Sequence, residues 1–160
     1  MIDQYSLGRI LSTVAIAMIL RIAPWPDFMV ALNPDWVLLT LIYWTLALPE
    51  RVGIFHAWTF GLLTDVLTGR LFGQHALAYS LISYACIKFH KRLRPFPLLQ
   101  QQLFIFLFLL VSQLLLFWIK SLHTPGQLPA IFWLPVLTGT VCWPLVYKTL
   151  RFVRLLHNSK

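Results

Sequence analysis

Charge is scarce in this chain. Charged residues make up 11% of its 160 positions, while hydrophobic residues make up 59%. A soluble domain carries roughly 25% charged residues, so the shortage excludes an ordinary water-soluble domain. Acidic residues are the rarer sign, 5 Asp+Glu against 13 Lys+Arg. In a soluble protein that excess would suggest nucleic acid. No basic run with soluble surroundings exists here, which excludes that partner. The same basic residues suit the cytoplasmic face of a membrane and its anionic lipid. Cysteine is limited to Cys86 and Cys142, both in apolar segments and without CxxC or Cys/His spacing. They read as small core residues. His56, His75, His90, His123 and His157 are scattered, and none has a second His or a carboxylate at i+3 or i+4. That pattern offers no metal site. A Ser/His/Asp grouping, HExxH, GxGxxG and Walker A are all absent. An intramembrane hydrolase would need a nucleophile–base pair or two membrane aspartates, and one aspartate is present. The chain therefore reads as a non-enzyme without cofactor.

What is present is six apolar stretches separated by short polar breaks. A membrane-spanning helix needs about 20 mostly apolar residues, so six helices use up the chain and leave no separate catalytic domain. The expectation is an all-α polytopic membrane protein, one integral membrane domain over 1–160. Its spans fall at about 7–23, 35–49, 52–68, 73–89, 98–119 and 131–150. No cleavable signal is expected, because the first stretch runs straight into Pro24-Trp25-Pro26-Asp27. Most prolines sit in the breaks, where a missing N–H does no harm. Pro135 and Pro144, with Gly139 between them, lie inside the sixth span. A kinked or broken helix is expected there.

Topology follows from the basic residues. With a cytoplasmic N-terminus, the inner segments hold Arg9, Arg51, Lys88, Lys91, Arg92, Arg94, Lys148, Arg151, Arg154 and Lys160. The outer segments hold only Arg21, Arg70 and Lys120. Both termini are therefore expected in the cytoplasm. Trp25, Trp36, Trp118 and Trp133 fall near outer helix ends, as an interfacial aromatic belt requires. Arg9 and Arg21 bracket a short first span. Either their side chains snorkel, or that helix lies in the interface or the bilayer thins around it, and a five-helix arrangement stays open.

Asp65 is the one acidic residue within a strongly apolar span. A carboxylate at membrane depth normally faces a partner or a water-filled cavity. Gly61, Asp65 and Gly69 recur every four residues and share one helix face, and small residues at that spacing let another helix come close. Asp65 reads either as the polar fixture of a packing face or as an outer helix cap near water. Its nearest cationic candidate is Arg70. Gln113 reads as an interhelical hydrogen bond or as a contact to a partner helix. The basic loop Lys88–Arg94 and the tail 148–156 read as headgroup contacts or as a docking surface for a cytoplasmic protein.

These residues resemble the MreD family of rod shape-determining proteins. The resemblance rests on Pro24-Trp25-Pro26-Asp27, Asn33-Pro34-Asp35-Trp36, Leu46-Ala-Leu-Pro49-Glu-Arg51, Gly61-x-x-x-Asp65-x-x-x-Gly69-x-x-x-Gly73 and Trp143-Pro144, in order along the chain. It implies a scaffold in the bacterial inner membrane, part of the machinery that builds the lateral cell wall. It also implies pairing with MreC. Through MreC would come action on a class B penicillin-binding transpeptidase and the RodA glycosyltransferase, organised by MreB filaments. The implied fold is similar to the S component of energy-coupling-factor transporters, six helices around a cavity. That likeness makes a small-molecule-binding transport subunit the alternative function. The family's motifs map to Pro34, Asp35, Gly61, Asp65, Gly69 and Gly73. With Gln113 these are the candidate packing and partner residues.

Overall fold

A computed structural model of the chain describes residues 2–70, 72–127 and 129–156. Among them are seven α-helices and no strand. In chain order they are α1 (Ile2–Ile22), α2 (Asp27–Val30), α3 (Trp36–Ala47), α4 (Ile54–Thr68), α5 (Gln74–Leu93), α6 (Leu98–His123) and α7 (Leu134–Leu155). A 3-10 turn, Ala130–Trp133, leads into α7.

The helices are apolar on both their inner and outer sides. On α6 the buried residues Gln101, Ile105, Leu109, Ser112 and Leu116 form one stripe at helical spacing. Leu99, Leu103, Leu107, Val111, Leu114, Trp118 and Leu122 form an exposed stripe at the same spacing. In water such a surface would be a large uncovered apolar patch. On α7 the buried residues are Val136, Gly139, Trp143, Val146 and Leu150, and Leu137, Val141, Leu145 and Phe152 face outward. Two segments, Leu98–His123 and Ala130–Leu155, are long and apolar enough to cross a membrane.

The helix α3 is the centre of the molecule. It has 12 residues, and every one from Val37 to Leu46 is buried. At about 1.5 Å per residue it is about 18 Å long, well short of a hydrocarbon core of about 30 Å. It is enclosed by α1, α5 and α7. The antiparallel pairs α4–α5 and α6–α7 make the broadest contacts of the remaining helices.

In the sixth stretch, of the kink or break expected, the break does not occur: α7 runs continuously through Pro144, and Pro135 sits in its first turn, where proline is tolerated. Pro144 cannot donate to the carbonyl of Thr140, four residues earlier. Gln102 on α6 donates its Nε2 to that oxygen at 3.2 Å instead.

Candidate functional site

The candidate residues gather at the α4–α5 hairpin and at the start of α3. The hairpin is built around Asp65, whose main chain closes one helix and whose side chain opens the next. At the end of α4, Gly69 N–H bonds to Val66 O and Arg70 N–H to Asp65 O. That is the Schellman pattern, which requires a left-handed residue at the helix end. Gly69 supplies it with φ +61°. Gly73, at φ +101°, stands at the N-cap of α5 and has no side chain to cap with.

The Asp65 carboxylate takes over that role. Oδ2 accepts from Gly73 N–H at 2.9 Å, and Oδ1 from His75 N–H at 3.1 Å. His75 Nδ1 lies 2.7 Å from Oδ1. Both side chains are fully buried. The carboxylate thus faces the first turn of α5, where free N–H groups and the helix dipole favour negative charge. Gly61, one turn before Asp65, allows the approach. A Cβ there would sit 2.4 Å from Ala76 Cα, so only hydrogen fits between the two backbones.

From His75 the polar chain continues toward α3. The His75 ring meets Tyr79 edge-on at 5.5 Å. Tyr79 donates its hydroxyl to both oxygens of Asp35, at 2.7 and 2.8 Å. Asp35 is the N-cap of α3 and accepts from Leu38 N–H at 3.2 Å. Two acids therefore start two helices, and His75 and Tyr79 of α5 connect them. Pro34, just before Asp35, is buried, with its Cβ 3.6 Å from where a Cβ on Gly139 would lie.

Gln113 stands apart from this chain. Its Nε2 donates to Phe132 O at 2.7 Å, which ties α6 to the 3-10 turn before α7. It shares a cleft of about 480 Å³ with Asn33, Asp35, Arg21 and Arg70 at the end of the bundle where α3 and α5 begin.

Three expectations are corrected. Asp65 does not pair with Arg70, which lines the open cleft; its partner is His75, ten residues on, because the hairpin folds α5 back against α4. Asp65 caps a helix, but the helix is α5, and the carboxylate is fully buried. The close-packing role holds for Gly61 alone of the three glycines: around Gly69 and Gly73 a Cβ would meet nothing within 4 Å, and their positive φ accounts for them. His75 and Tyr79 escape any pairing rule confined to i+3 and i+4 within one helix, because their acidic partners lie on other helices. The spacing of a hairpin, which returns α5 along α4, is the signal that could have found His75.

The Asp65 carboxylate is fully buried among donors that hold helix ends together, and Asp35, which caps α3, also lines the open cleft. The comparisons with known proteins carry the rest. The family model described as rod shape-determining protein MreD matches residues 2–153. The chain belongs to the MreD family. It is 37% identical over 150 residues to the rod shape-determining protein MreD of Haemophilus influenzae (strain ATCC 51907 / DSM 11121 / KW20 / Rd), covering 91% of this chain and 90% of that protein. No solved structure matches it. Within an MreD-family chain, then, the Gly/Asp motif builds the α4–α5 hairpin and the Pro-Asp motif begins α3.

Proposed function

We propose that this MreD-family chain serves rod-shape determination as a non-catalytic membrane scaffold. It spans the inner membrane six times, with α1, α3, α4, α5, α6 and α7 as the spans and both termini in the cytoplasm. It binds MreC by packing against MreC's single transmembrane span. Through MreC it favours wall synthesis by the class B penicillin-binding transpeptidase and RodA, alongside MreB filaments. The six-helix arrangement is of the S-component kind, but the transport-subunit function finds no support in either comparison.

The observation that carries this reading is the family match over residues 2–153. Two features of the molecule support it. Outward apolar residues occur on α1, α4, α5, α6 and α7, as lipid-facing helices require. The buried polar groups at the α4–α5 hairpin hold helices in register, which suits a scaffold. The test is a rod-shape complementation assay joined to recovery of MreC from detergent-solubilised membranes with the tagged chain. Restored rods with co-purified MreC are expected. Restored rods without any recovered MreC would remove the proposed mechanism.

A further inference from the structure

At the end of the bundle opposite the Asp35 cleft lies a second cleft of about 440 Å³. Arg94, Arg151 and Arg154 line it, together with Tyr147, Gln101 and Trp143. Arg9 reaches the same region and donates to the main-chain oxygen of Arg154 at 3.4 Å. Arg94 is committed to the fold. Its Nε donates to Leu46 O at 2.6 Å and its Nη2 to Ala47 O, which closes the end of α3. The guanidiniums of Arg151 and Arg154 have no carboxylate within ion-pair distance among the described residues.

The floor of the cleft is also unsatisfied. Trp143 is fully buried, and its Nε1–H has no acceptor. Gln101 is 4% exposed, and although its Nε2 donates to Leu93 O at 3.0 Å, its Oε1 has no donor. Buried polar atoms of this kind are normally partnered. The lining is thus rich in donors: two uncommitted guanidinium forks and an indole N–H. Such a set recognises phosphate oxygens, which accept in the planar, two-pronged geometry of arginine. The one orphaned acceptor suits a hydroxyl carried beside the phosphate.

We propose that this cleft is a binding site for the phosphodiester headgroup of an anionic phospholipid, of the hydroxyl-bearing phosphatidylglycerol kind. A lipid fits better than a soluble phosphate because apolar surface adjoins the arginines. On α7, Phe152 lies between Arg151 and Arg154 in sequence and Leu145 lies two turns before Phe152 on the same side of the helix; they are 63% and 64% exposed. An acyl chain can lie along that surface while its headgroup enters between α3, α5, α6 and α7. Basic pockets between membrane helices hold anionic headgroups in this manner.

The test uses the full chain, purified in detergent and reconstituted with phosphatidylglycerol or phosphatidylcholine, with bound lipid counted by native mass spectrometry. Lipid is supplied on all sides, so the result is independent of topology and of MreC. Retention of phosphatidylglycerol over phosphatidylcholine is expected. The double variant Arg151→Gln/Arg154→Gln should weaken it by about tenfold or more, the scale of losing charge-assisted hydrogen bonds. The control Lys91→Gln/Arg92→Gln removes the same charge from exposed positions outside the cleft and should retain the lipid. Equal loss in both variants would overturn the site in favour of diffuse surface attraction. Displacement of the lipid by inorganic phosphate at equal concentration would overturn the lipid assignment. If the double variant does not fold, the exposed single change Arg151→Gln carries the same comparison.

Discussion

Asp65 satisfies three donors at once: two main-chain N–H groups and the His75 ring. Removing a carboxylate from such a site leaves those donors buried and unmatched. Asp65→Leu should therefore cost about 3 kcal/mol or more, since each buried donor left unsatisfied costs about 1–3 kcal/mol. Asp65→Asn keeps one oxygen for the main-chain donors, and its amide can face His75 Nδ1 if the ring proton moves to Nε2. It should be milder, and Asp65→Lys should be worst. The measurement is thermal unfolding of the purified variants in detergent, paired with rod-shape complementation at matched abundance. A leucine variant that melts like wild type would show that the carboxylate is not the fastening described. The glycines make a sharper contrast. Gly61→Ala drives a Cβ into the Ala76 backbone and should cost about 1–3 kcal/mol. Gly69→Asn meets open space and keeps a residue that tolerates the left-handed region, so it should cost less than Gly69→Val. A melting series with all three variants checks the order.

At the scale of elements, α6 and α7 share a hydrogen bond that exists because of a proline. Pro144 frees the Thr140 carbonyl, and Gln102 satisfies it. Gln102→Leu should lower stability by about 1 kcal/mol. Pro144→Ala restores an N–H that can reach Thr140 O, so in that background the glutamine should matter less. A double-mutant cycle on melting temperature measures the coupling; strictly additive effects would show that Gln102 is not the substitute partner. Much of this element structure was legible in the sequence. Each of the six apolar stretches contains a helix, the second a short one of 12 residues, and prolines and glycines mark the ends because they act locally. What stayed hidden depends on contacts between elements. His75 becomes Asp65's partner only when the hairpin closes, and Tyr79 meets Asp35 across 44 residues. The harmless position of Pro135 depends on where α7 begins, and a 3-10 turn decides that.

For the whole molecule, the ends of the bundle differ in charge. Arg9, Arg94, Arg151 and Arg154 lie together at one end, and the basic residues Arg21 and Arg70 line the cleft at the other. That asymmetry fits the orientation proposed from the positive-inside count. Alkaline phosphatase fused after Lys160 should be inactive, and the same enzyme inserted between 122 and 127 should be active. The reverse pattern would invert the topology. The sequence conveyed this asymmetry directly, because charge counting needs no contacts. It did not convey that three arginines and two orphaned polar atoms line one cleft, since those residues come from α6, α7 and the loop after α5.

A helix with no outward face has a consequence for how the molecule is made. During synthesis α3 leaves the ribosome early, too short to cross a bilayer unaided and apolar on every side. It waits for α5 and then for α7, whose Tyr147 meets Tyr43 at 5.6 Å. The later-translated α7 thus completes the enclosure of α3. A chain stopped at residue 127 would keep α1, α4, α5 and α6 yet leave α3 bare along one side, recognisable to membrane proteases as unfinished. In a pulse-chase experiment that shortened chain should decay faster than the full one, and equal lifetimes would mean that α3 finds its place without α7.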